Sequence, residues 1–391
     1  MTIGFASRAA VSACSLCAAG MLLLVSPAAA TGRAGTDPGS PGGSGTTVPQ
    51  PAVLQHEGTQ VRLHADAPGL PEVSALSWLV ADAGTGEVLA AHNAHEKLPP
   101  ASTLKTLFAL TVLPAFPGGV RHTVTARELS GIGPGSSLVG VTEGHTYQVS
   151  DLWRGVFLNS GNDAVHVLAS LNGGWEHTAR QMQAKARALG AVDTHVVSPD
   201  GYDADGQVSS AYDLAVFGRA GLRNPDFARY CSTAQAYFPG DGGSYGIANT
   251  NRLLTGADGV APYPGLIGIK NGYTSNAGNT LVAAAHRDGR TLVVTVMNPQ
   301  EGGGFTVYEE ARALLDWGFA AGGHVDPVGS LDALRPVTHG PAIVASAVRP
   351  AESDWPGTGT VAGAAGLGAA GLGAGAALLG RRSRRRRTAA G

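Results

Sequence analysis

Apolar stretches typical of β-strands occur near both ends of the central part of this 391-residue chain. Two of them, 77–82 and 87–92, flank the turn Ala83-Gly84-Thr85-Gly86, and three more follow much later, at 266–274, 279–286 and 291–297. The last two are joined by Asp288-Gly289, a dipeptide that favours a tight hairpin. Because hairpin-connected strands pair antiparallel, the sequence predicts one antiparallel sheet built from both ends of a domain.

Helical patterns fill the interval between these strands. We predict helices over 149–158, from about Ala164 onward, over 175–189 and over 213–222, and a closing helix over 308–319 that packs across the sheet. Ser150 or Asp151 is the expected cap of the first, and Ser209 or Ser210 that of the 213–222 helix. Residues 120–148 are glycine-rich and polar, which favours short strands and loops.

The N-terminal segment has the composition of an export signal. Residues 1–30 carry Arg8, an apolar run and then Ser-Pro-Ala-Ala-Ala, a small-residue pattern typical of signal-peptide cleavage, here predicted after Ala30. Cleavage would remove Cys14 and Cys17 and leave Cys231 as the one cysteine, so no internal disulfide is expected. Residues 31–65, rich in Gly, Ser and Pro, read as a flexible leader.

The C-terminal segment has the pattern of a membrane anchor. Residues 359–380 consist mostly of Ala, Gly, Leu and Val without a charge, and six arginines follow in the tail 381–391. Such a length crosses a bilayer, and a basic cluster after it favours the cytoplasmic side. A flexible glycine-rich tail is the alternative. All 29 acidic residues lie between signal and tail, so the exported part is acidic and a nucleic-acid partner is not expected.

A Ser-x-x-Lys pair opens the apolar run 106–112. Pro99 and Pro100 precede Ser102, proline is tolerated in a first helical turn, and residues three apart share a helix face. The Lys105 amine can therefore reach the Ser102 hydroxyl. Lysine activates a serine only if burial or a second cation lowers its pKa, so a second cation is expected elsewhere in the chain. A chance Ser-x-x-Lys in an ordinary helix is the alternative.

Two further motifs follow in order, Ser160-Gly161-Asn162 between two helices and Lys270-Asn271-Gly272 on a strand. With these three motifs, and with the segments at 82–86, 199–203, 209–214 and 314–319, the chain from about 77 to 319 resembles the D-alanyl-D-alanine carboxypeptidases. These are low-molecular-mass penicillin-binding proteins. The resemblance implies an α+β, penicillin-recognising, β-lactamase/transpeptidase-like fold: an antiparallel sheet flanked by helices, plus a mainly helical subdomain. The catalytic domain is expected over 66–325, with a linker over 326–358.

The resemblance also implies a role for each motif residue. Ser102 would attack the bond between the last two D-alanines of a peptidoglycan stem peptide, with Lys105 as its base. Lys270 would be the second cation and would help to bind the terminal carboxylate, and Ser160 would relay a proton to the leaving amine. Asn162 would bind Lys105 and the substrate amide. The backbone NH groups of Ser102 and Tyr273 would form the oxyanion hole, with Gly272 leaving room for the substrate.

The resemblance further implies β-lactams as covalent inhibitors and no metal or cofactor. His92, His95 and Glu96 do not have a zinc-protease spacing, and we expect them to be solvated polar residues.

One departure and several alternatives stay open. Asn271 stands where the family usually has threonine; an amide still donates to a carboxylate, so activity with altered affinity is expected. A catalytically silent wall-binding protein is one alternative. A β-lactamase-like hydrolase is disfavoured because Leu168 stands where the Glu-x-x-Leu-Asn pattern requires glutamate. Transpeptidation stays open, as does help in carboxylate binding from Arg287 or Arg290.

Overall fold

The computed structural model describes residues 51–334. Its main sheet has the strand order β1-β3-β2-β10-β9-β8, and β11 pairs with β3. All pairings in this sheet are antiparallel. The strands are β1 Thr59–Val61, β2 Ala75–Asp82, β3 Glu87–His92, β8 Leu266–Thr274, β9 Gly278–Arg287, β10 Arg290–Pro299 and β11 Gly329–Ser330. The predicted antiparallel sheet is therefore confirmed.

Eight α-helices, several short 3₁₀ helices and two small two-stranded sheets complete the described part. The helices are α1 Lys105–Val112, α2 Val149–Leu158, α3 Asn162–Leu171, α4 Trp175–Ala188, α5 Ala211–Leu222, α6 Pro225–Cys231, α7 Arg252–Thr255 and α8 Thr306–Ala320. One of these sheets pairs β4 Arg121–Thr123 with β5 Thr146–Gln148, and the other is a hairpin of β6 Gln235–Gly240 and β7 Gly243–Ala248.

Side chains that alternate along the central strands contribute to two separate hydrophobic cores, one on each face of the sheet. Leu79 and Ala81 of β2 pack in the core shared with the helical subdomain, whereas Trp78 and Val80 pack in the core beneath α8. Successive strand residues point to opposite faces of a sheet, so a strand covered by helices on both sides is apolar throughout. The predicted closing helix is α8, and it covers the face opposite the helical subdomain.

Several local expectations differ from the structure. Gln148, rather than Ser150 or Asp151, caps α2, because the Asp151 carboxylate accepts a hydrogen bond from the Gln148 backbone at 3.0 Å. α3 begins at Asn162, two residues before the expected Ala164. His95 is not solvated: its Nδ1 lies 2.7 Å from Asp193, and both side chains are nearly buried.

The sheet also includes residues outside the predicted limits of 66–325. β1 pairs with β3, β11 pairs with β3, and Leu54 is buried. The predicted signal, anchor and basic tail, at 1–30, 359–380 and 381–391, lie outside the described residues. Between residues 51 and 334, no helix combines the length and apolar character needed to cross a bilayer.

Candidate active site

The nucleophile motif forms a tight turn at the start of α1. Residues Ala101–Leu104 form a 3₁₀ helix, and Lys105 is the first residue of α1. Side chains three residues apart eclipse in a 3₁₀ helix, which places the Lys105 Nζ 2.7 Å from the Ser102 Oγ. Ala101 has a left-handed φ of 49°, a strained value of the kind found at functional sites.

Lys105 is buried beneath the site and has an altered basicity. Its Nζ also donates to the Asp200 backbone oxygen at 2.6 Å. Burial lowers the pKa of Lys105 to about 8, against the opposing effect of the negative charges of Asp200 and Asp163. Burial, rather than the second cation expected from the sequence, is thus the main cause of the lowered pKa. The neutral amine needed to accept a proton from Ser102 is accessible near neutral pH.

Lys270 on β8 is the second lysine of the site. Burial lowers its pKa well below the ordinary value, and the nearby positive charge of Lys105 lowers it further. Its Nζ donates to the Asn271 backbone oxygen at 2.8 Å. Two buried amines in one site disfavour simultaneous protonation, so an anionic substrate group would stabilise the charged form of Lys270.

The Ser160-Gly161-Asn162 motif lies at the break between α2 and α3. Ser160 has a left-handed φ of 58° and is almost fully buried, and its Oγ has no hydrogen-bond partner among the described residues. A buried hydroxyl without a protein partner is available to a substrate. The Asn162 Nδ2 donates to the Ser136 Oγ at 3.0 Å, a contact absent from the sequence prediction, which paired Asn162 with Lys105.

The third motif lies on β8, at the edge of the sheet. Gly272 lies so close to the nucleophile turn that a Cβ there would be 2.7 Å from the Ser102 backbone nitrogen. Glycine is therefore needed because the strand backbone packs against Ser102 itself. The sequence interpretation had instead explained Gly272 by the space that a substrate needs. Asn271 accepts a hydrogen bond from the Thr250 Oγ1 at 3.0 Å through its Oδ1, which leaves the Nδ2 group to donate.

A cavity of about 200 Å³ lies where the nucleophile turn, the start of α3 and the end of β8 meet. The residues that line it do not include Lys105, Ser160, Lys270, Asn271 or Gly272. Ser102, Asn162 and the largely exposed Tyr273 line it, with residues of two loops: Pro134, Gly135, Ser136, Ser137, Gly201, Tyr202 and Asp203. Arg287 and Arg290 do not line it. Instead Arg290 pairs with Asp82 at 2.6 Å, and Arg287 lies over the Tyr263 and Phe319 rings.

A larger cavity of about 820 Å³ shares Tyr202 and Asp203 with the smaller one and is lined also by His166, Trp175 and Asp200. None of Ser102, Asn162 and Tyr273 lines it, so its size does not make it the reaction site. The Tyr202 hydroxyl donates to the Pro134 backbone oxygen at 2.8 Å and so bridges the loops that border both cavities. The chemistry belongs to the smaller cavity.

The residues that contact the nucleophile turn from the 199–203 loop were not identified from the sequence. Gly201 has a φ of 78°, and a Cβ on it would lie 2.1 Å from the Ala101 backbone oxygen, so this loop touches the nucleophile turn directly. The neighbouring Asp200 carbonyl holds Lys105. The turn residues Pro199-Asp200-Gly201 are visible in the sequence, but their contact with Ala101 is long-range and leaves no local pattern.

Comparisons with known proteins identify the family to which the chain is similar. The family model described as D-alanyl-D-alanine carboxypeptidase, Peptidase_S11, matches residues 63–301. The D-alanyl-D-alanine carboxypeptidase DacB2 of Mycobacterium tuberculosis is 41% identical over 254 residues, covering 64% of this chain and 84% of that protein.

Solved structures show the same fold. Penicillin binding protein 6B of Escherichia coli matches with a TM-score of 0.59 and 34% identity, covering 68% of this chain and 82% of that one. The Streptomyces K15 DD-transpeptidase matches with a TM-score of 0.59 and 25% identity, covering 65% of this chain and all of that one. The predicted penicillin-recognising fold is thus confirmed, and this chain belongs to the D-alanyl-D-alanine carboxypeptidase family.

Proposed function

We propose that this protein is a serine D-alanyl-D-alanine carboxypeptidase that trims peptidoglycan stem peptides and so limits their cross-linking. The observation that carries the proposal is the buried Lys105 amine, 2.7 Å from the Ser102 hydroxyl, with its pKa lowered to about 8. Family membership supports the substrate class. β-Lactams, which acylate such a serine, are the expected covalent inhibitors.

In the proposed mechanism, neutral Lys105 takes the Ser102 proton as Oγ attacks the penultimate D-alanine carbonyl. The NH groups of Ser102 and Tyr273 stabilise the resulting oxyanion. A proton passes through Ser160 to the leaving nitrogen, the peptide C–N bond breaks and D-alanine departs. Water then attacks the ester, giving the shortened peptide and returning a proton to Ser102.

Substrate binding in this proposal uses the groups around the cleft. Lys270, in its protonated form, and the Asn271 amide bind the terminal carboxylate. Asn162 binds the substrate backbone, and Gly272 keeps β8 against the nucleophile turn. The close approach of Gly272 to Ser102 and the Thr250–Asn271 bond support these roles.

The test is D-alanine release from diacetyl-lysyl-D-alanyl-D-alanine by the purified chain, beside a Ser102→Ala control. Release by the wild type alone is expected. No release from a folded wild-type protein would contradict the proposal for this substrate. A fluorescent penicillin then separates the rivals: labelling at Ser102 without release favours another acceptor, as in transpeptidation, and no labelling favours a silent peptidoglycan-binding protein.

A β-lactamase-like hydrolase would differ in what happens after acylation. It would release the opened β-lactam quickly, whereas a carboxypeptidase of this kind holds the adduct. The persistence of the penicilloyl adduct over minutes is the expected result, and it can be followed by the intact mass of the protein.

We also propose export through the signal at 1–30 and tethering by the segment at 359–380, with 381–391 in the cytoplasm. The apolar run and basic tail of the sequence support this location. The measurement is fractionation of cells that express the full chain or a chain ending at 356. The full chain is expected in the membrane fraction and the shortened chain in the soluble exported fraction; equal distribution would contradict the anchor.

A further inference from the structure

The Asp163 carboxylate collects backbone NH groups from a distant loop. Asp163 is 3% exposed. Its Oδ1 accepts hydrogen bonds from Val139 at 3.0 Å and from Ala164 at 2.9 Å, and its Oδ2 accepts from Gly140 and Val141, both at 2.8 Å. Three consecutive loop residues therefore donate to one carboxylate, and such charge-assisted bonds are about twice as strong as neutral ones.

The segment held in this way, residues 136–141, forms part of the wall of the catalytic cavity. We name it the 136–141 loop. Its first two residues, Ser136 and Ser137, line the cavity with Ser102. The Asn162 backbone NH donates to the Ser137 oxygen at 2.8 Å, and its side-chain Nδ2 donates to the Ser136 Oγ. The backbone and the side chain of Asn162 are thus both oriented by the loop that Asp163 anchors.

The loop also packs closely on the motif that carries Ser160. A Cβ on Gly161 would lie 3.1 Å from the Val139 side chain, so the loop has little room to shift without moving this turn. A second anchor comes from the β6–β7 hairpin, where the Tyr245 hydroxyl donates to the Val139 backbone oxygen. The loop is therefore held from two sides, by a charged group and by a neutral one.

Asp163 also acts on the base through its charge. Among the described residues, four titratable groups interact with the charge of Lys105: Asp163 and His166 from α3, Asp200 from the 199–203 loop and Lys270 from β8. The negative charges of Asp163 and Asp200 favour the protonated amine and so raise the pKa of Lys105 against the effect of burial. Loss of one carboxylate would lower that pKa.

We propose that Asp163 is a positioning residue for acylation: its carboxylate fixes the 136–141 loop against Asn162 and balances the charge of the catalytic lysine. The inference rests on the acyl-transfer function proposed above. It predicts two separable effects of neutralising Asp163, a loss of rate from the misplaced loop and a displaced pH dependence from the missing charge.

The test compares the rate of acylation by a fluorescent penicillin for Asp163→Asn and wild type across pH 6 to 10. An amide presents one NH₂ group to NH donors, so bonds to the loop are lost, and acylation should slow by about tenfold or more. The acidic limb of the profile should move to lower pH, because Lys105 loses a proton more easily. A purely structural role would lower the melting temperature without moving this limb.

Matched variants keep the proposal falsifiable if Asp163→Asn folds poorly. Tyr245→Phe removes the neutral anchor alone and should slow acylation severalfold with the acidic limb unchanged. Asp151→Asn neutralises a carboxylate in the first turn of α2 that accepts from the Gln148 backbone, and Asp151 does not line the cavity, so acylation of folded protein should be unchanged. The proposal is overturned if Asp163→Asn and Tyr245→Phe both acylate at the wild-type rate. If Asp163→Asn does not fold, Asp163→Glu takes its place in this comparison. Failure of the wild type to acylate would instead contradict the proposed function.

Discussion

At the scale of single residues, the site depends on one buried amine with an unusual basicity. A lysine in water is almost fully protonated at neutral pH and cannot accept a proton from serine. Burial of Lys105 lowers its pKa to about 8 and so makes the neutral amine available while Ser102 stays within hydrogen-bond distance. The same burial acts on Lys270, and the two amines together favour a site that binds anions.

The lowered pKa predicts the pH dependence of acylation. Only neutral Lys105 is a base, so the rate rises with pH through the acidic limb, with an apparent pKa of about 8. The neutral fraction grows from roughly a tenth at pH 7 to roughly nine tenths at pH 9, which predicts about a tenfold gain in rate. Stopped-flow acylation by a chromogenic β-lactam at fixed ionic strength measures this. A flat profile between pH 7 and 9 would contradict Lys105 as the base.

Spacing along the chain was enough to predict the Ser102–Lys105 pair, because both residues lie within one helical turn. It was not enough for Asn162, whose side chain contacts Ser136 rather than Lys105. The support from Asp163, Asp200 and Gly201 is also missing from the sequence interpretation. These contacts join residues far apart in the chain, and single-sequence patterns carry information only about near neighbours.

At the scale of elements, the site is assembled where the edge strand β8 meets the start of α1. The register pairs Gly272 with Thr280 of β9, and the Thr280 Oγ1 donates to the Pro100 backbone oxygen at 3.1 Å. The sheet therefore holds the nucleophile turn through a hydrogen bond as well as through the close approach of Gly272. Strand register in this region sets the position of Ser102.

Gly272→Ala tests this contact. The new methyl group would lie 2.7 Å from the Ser102 nitrogen and 2.8 Å from the Thr280 Oγ1, so the turn and its oxyanion NH must move. Loss of an oxyanion donor typically slows acyl transfer by about 10² to 10³, and we expect a penicillin acylation rate reduced by about this much.

Gly246→Ala on β7 is the matched control, since its Cβ would meet no atom of residues 51–334 within 4 Å. It should acylate at the wild-type rate. An equal rate for both alanine variants would show that β8 does not constrain Ser102.

The strands and helices that sequence analysis found best are those with strong periodicity or clear turn residues. The Asp288-Gly289 hairpin and the Ser210 cap of α5, which accepts from Asp213 at 3.1 Å, are examples. The β6–β7 hairpin was missed, because Gln235–Gly240 and Gly243–Ala248 each bury a single residue, Phe238 and Ile247, and Gly243–Ala248 is otherwise exposed. An exposed hairpin that is held by its tertiary contacts has no apolar alternation to reveal it.

At the scale of the whole described molecule, the sheet separates two hydrophobic cores. One packs beneath the catalytic residues, and the other packs between the sheet and α8. Phe108 and Trp153 pack in the core on the side of the site, whereas Leu314 and Leu315 of α8 pack on the opposite side. Loss of packing on the α8 side should therefore affect stability without direct contact with the site.

Leu314→Ala tests this division. Leu314 is fully buried, and truncation of a buried leucine typically costs about 2 to 5 kcal/mol. We expect a loss of this size in urea unfolding, with an unchanged acylation rate per folded molecule at low temperature. Glu309→Ala, on the exposed side of α8, should change stability by less than about 0.5 kcal/mol. A slowed acylation in folded Leu314→Ala would mean that the two cores are coupled.

The central claim is that Ser102, activated by Lys105, forms the acyl-enzyme. The most direct measurement is the intact mass of the protein after incubation with benzylpenicillin, followed by peptide mapping, for wild type, Ser102→Ala and Lys105→Arg. We predict one penicilloyl adduct in the wild type, mapped to Ser102, and none in either variant under the same conditions. An adduct on another residue, or an equally rapid adduct in Lys105→Arg, would contradict the account.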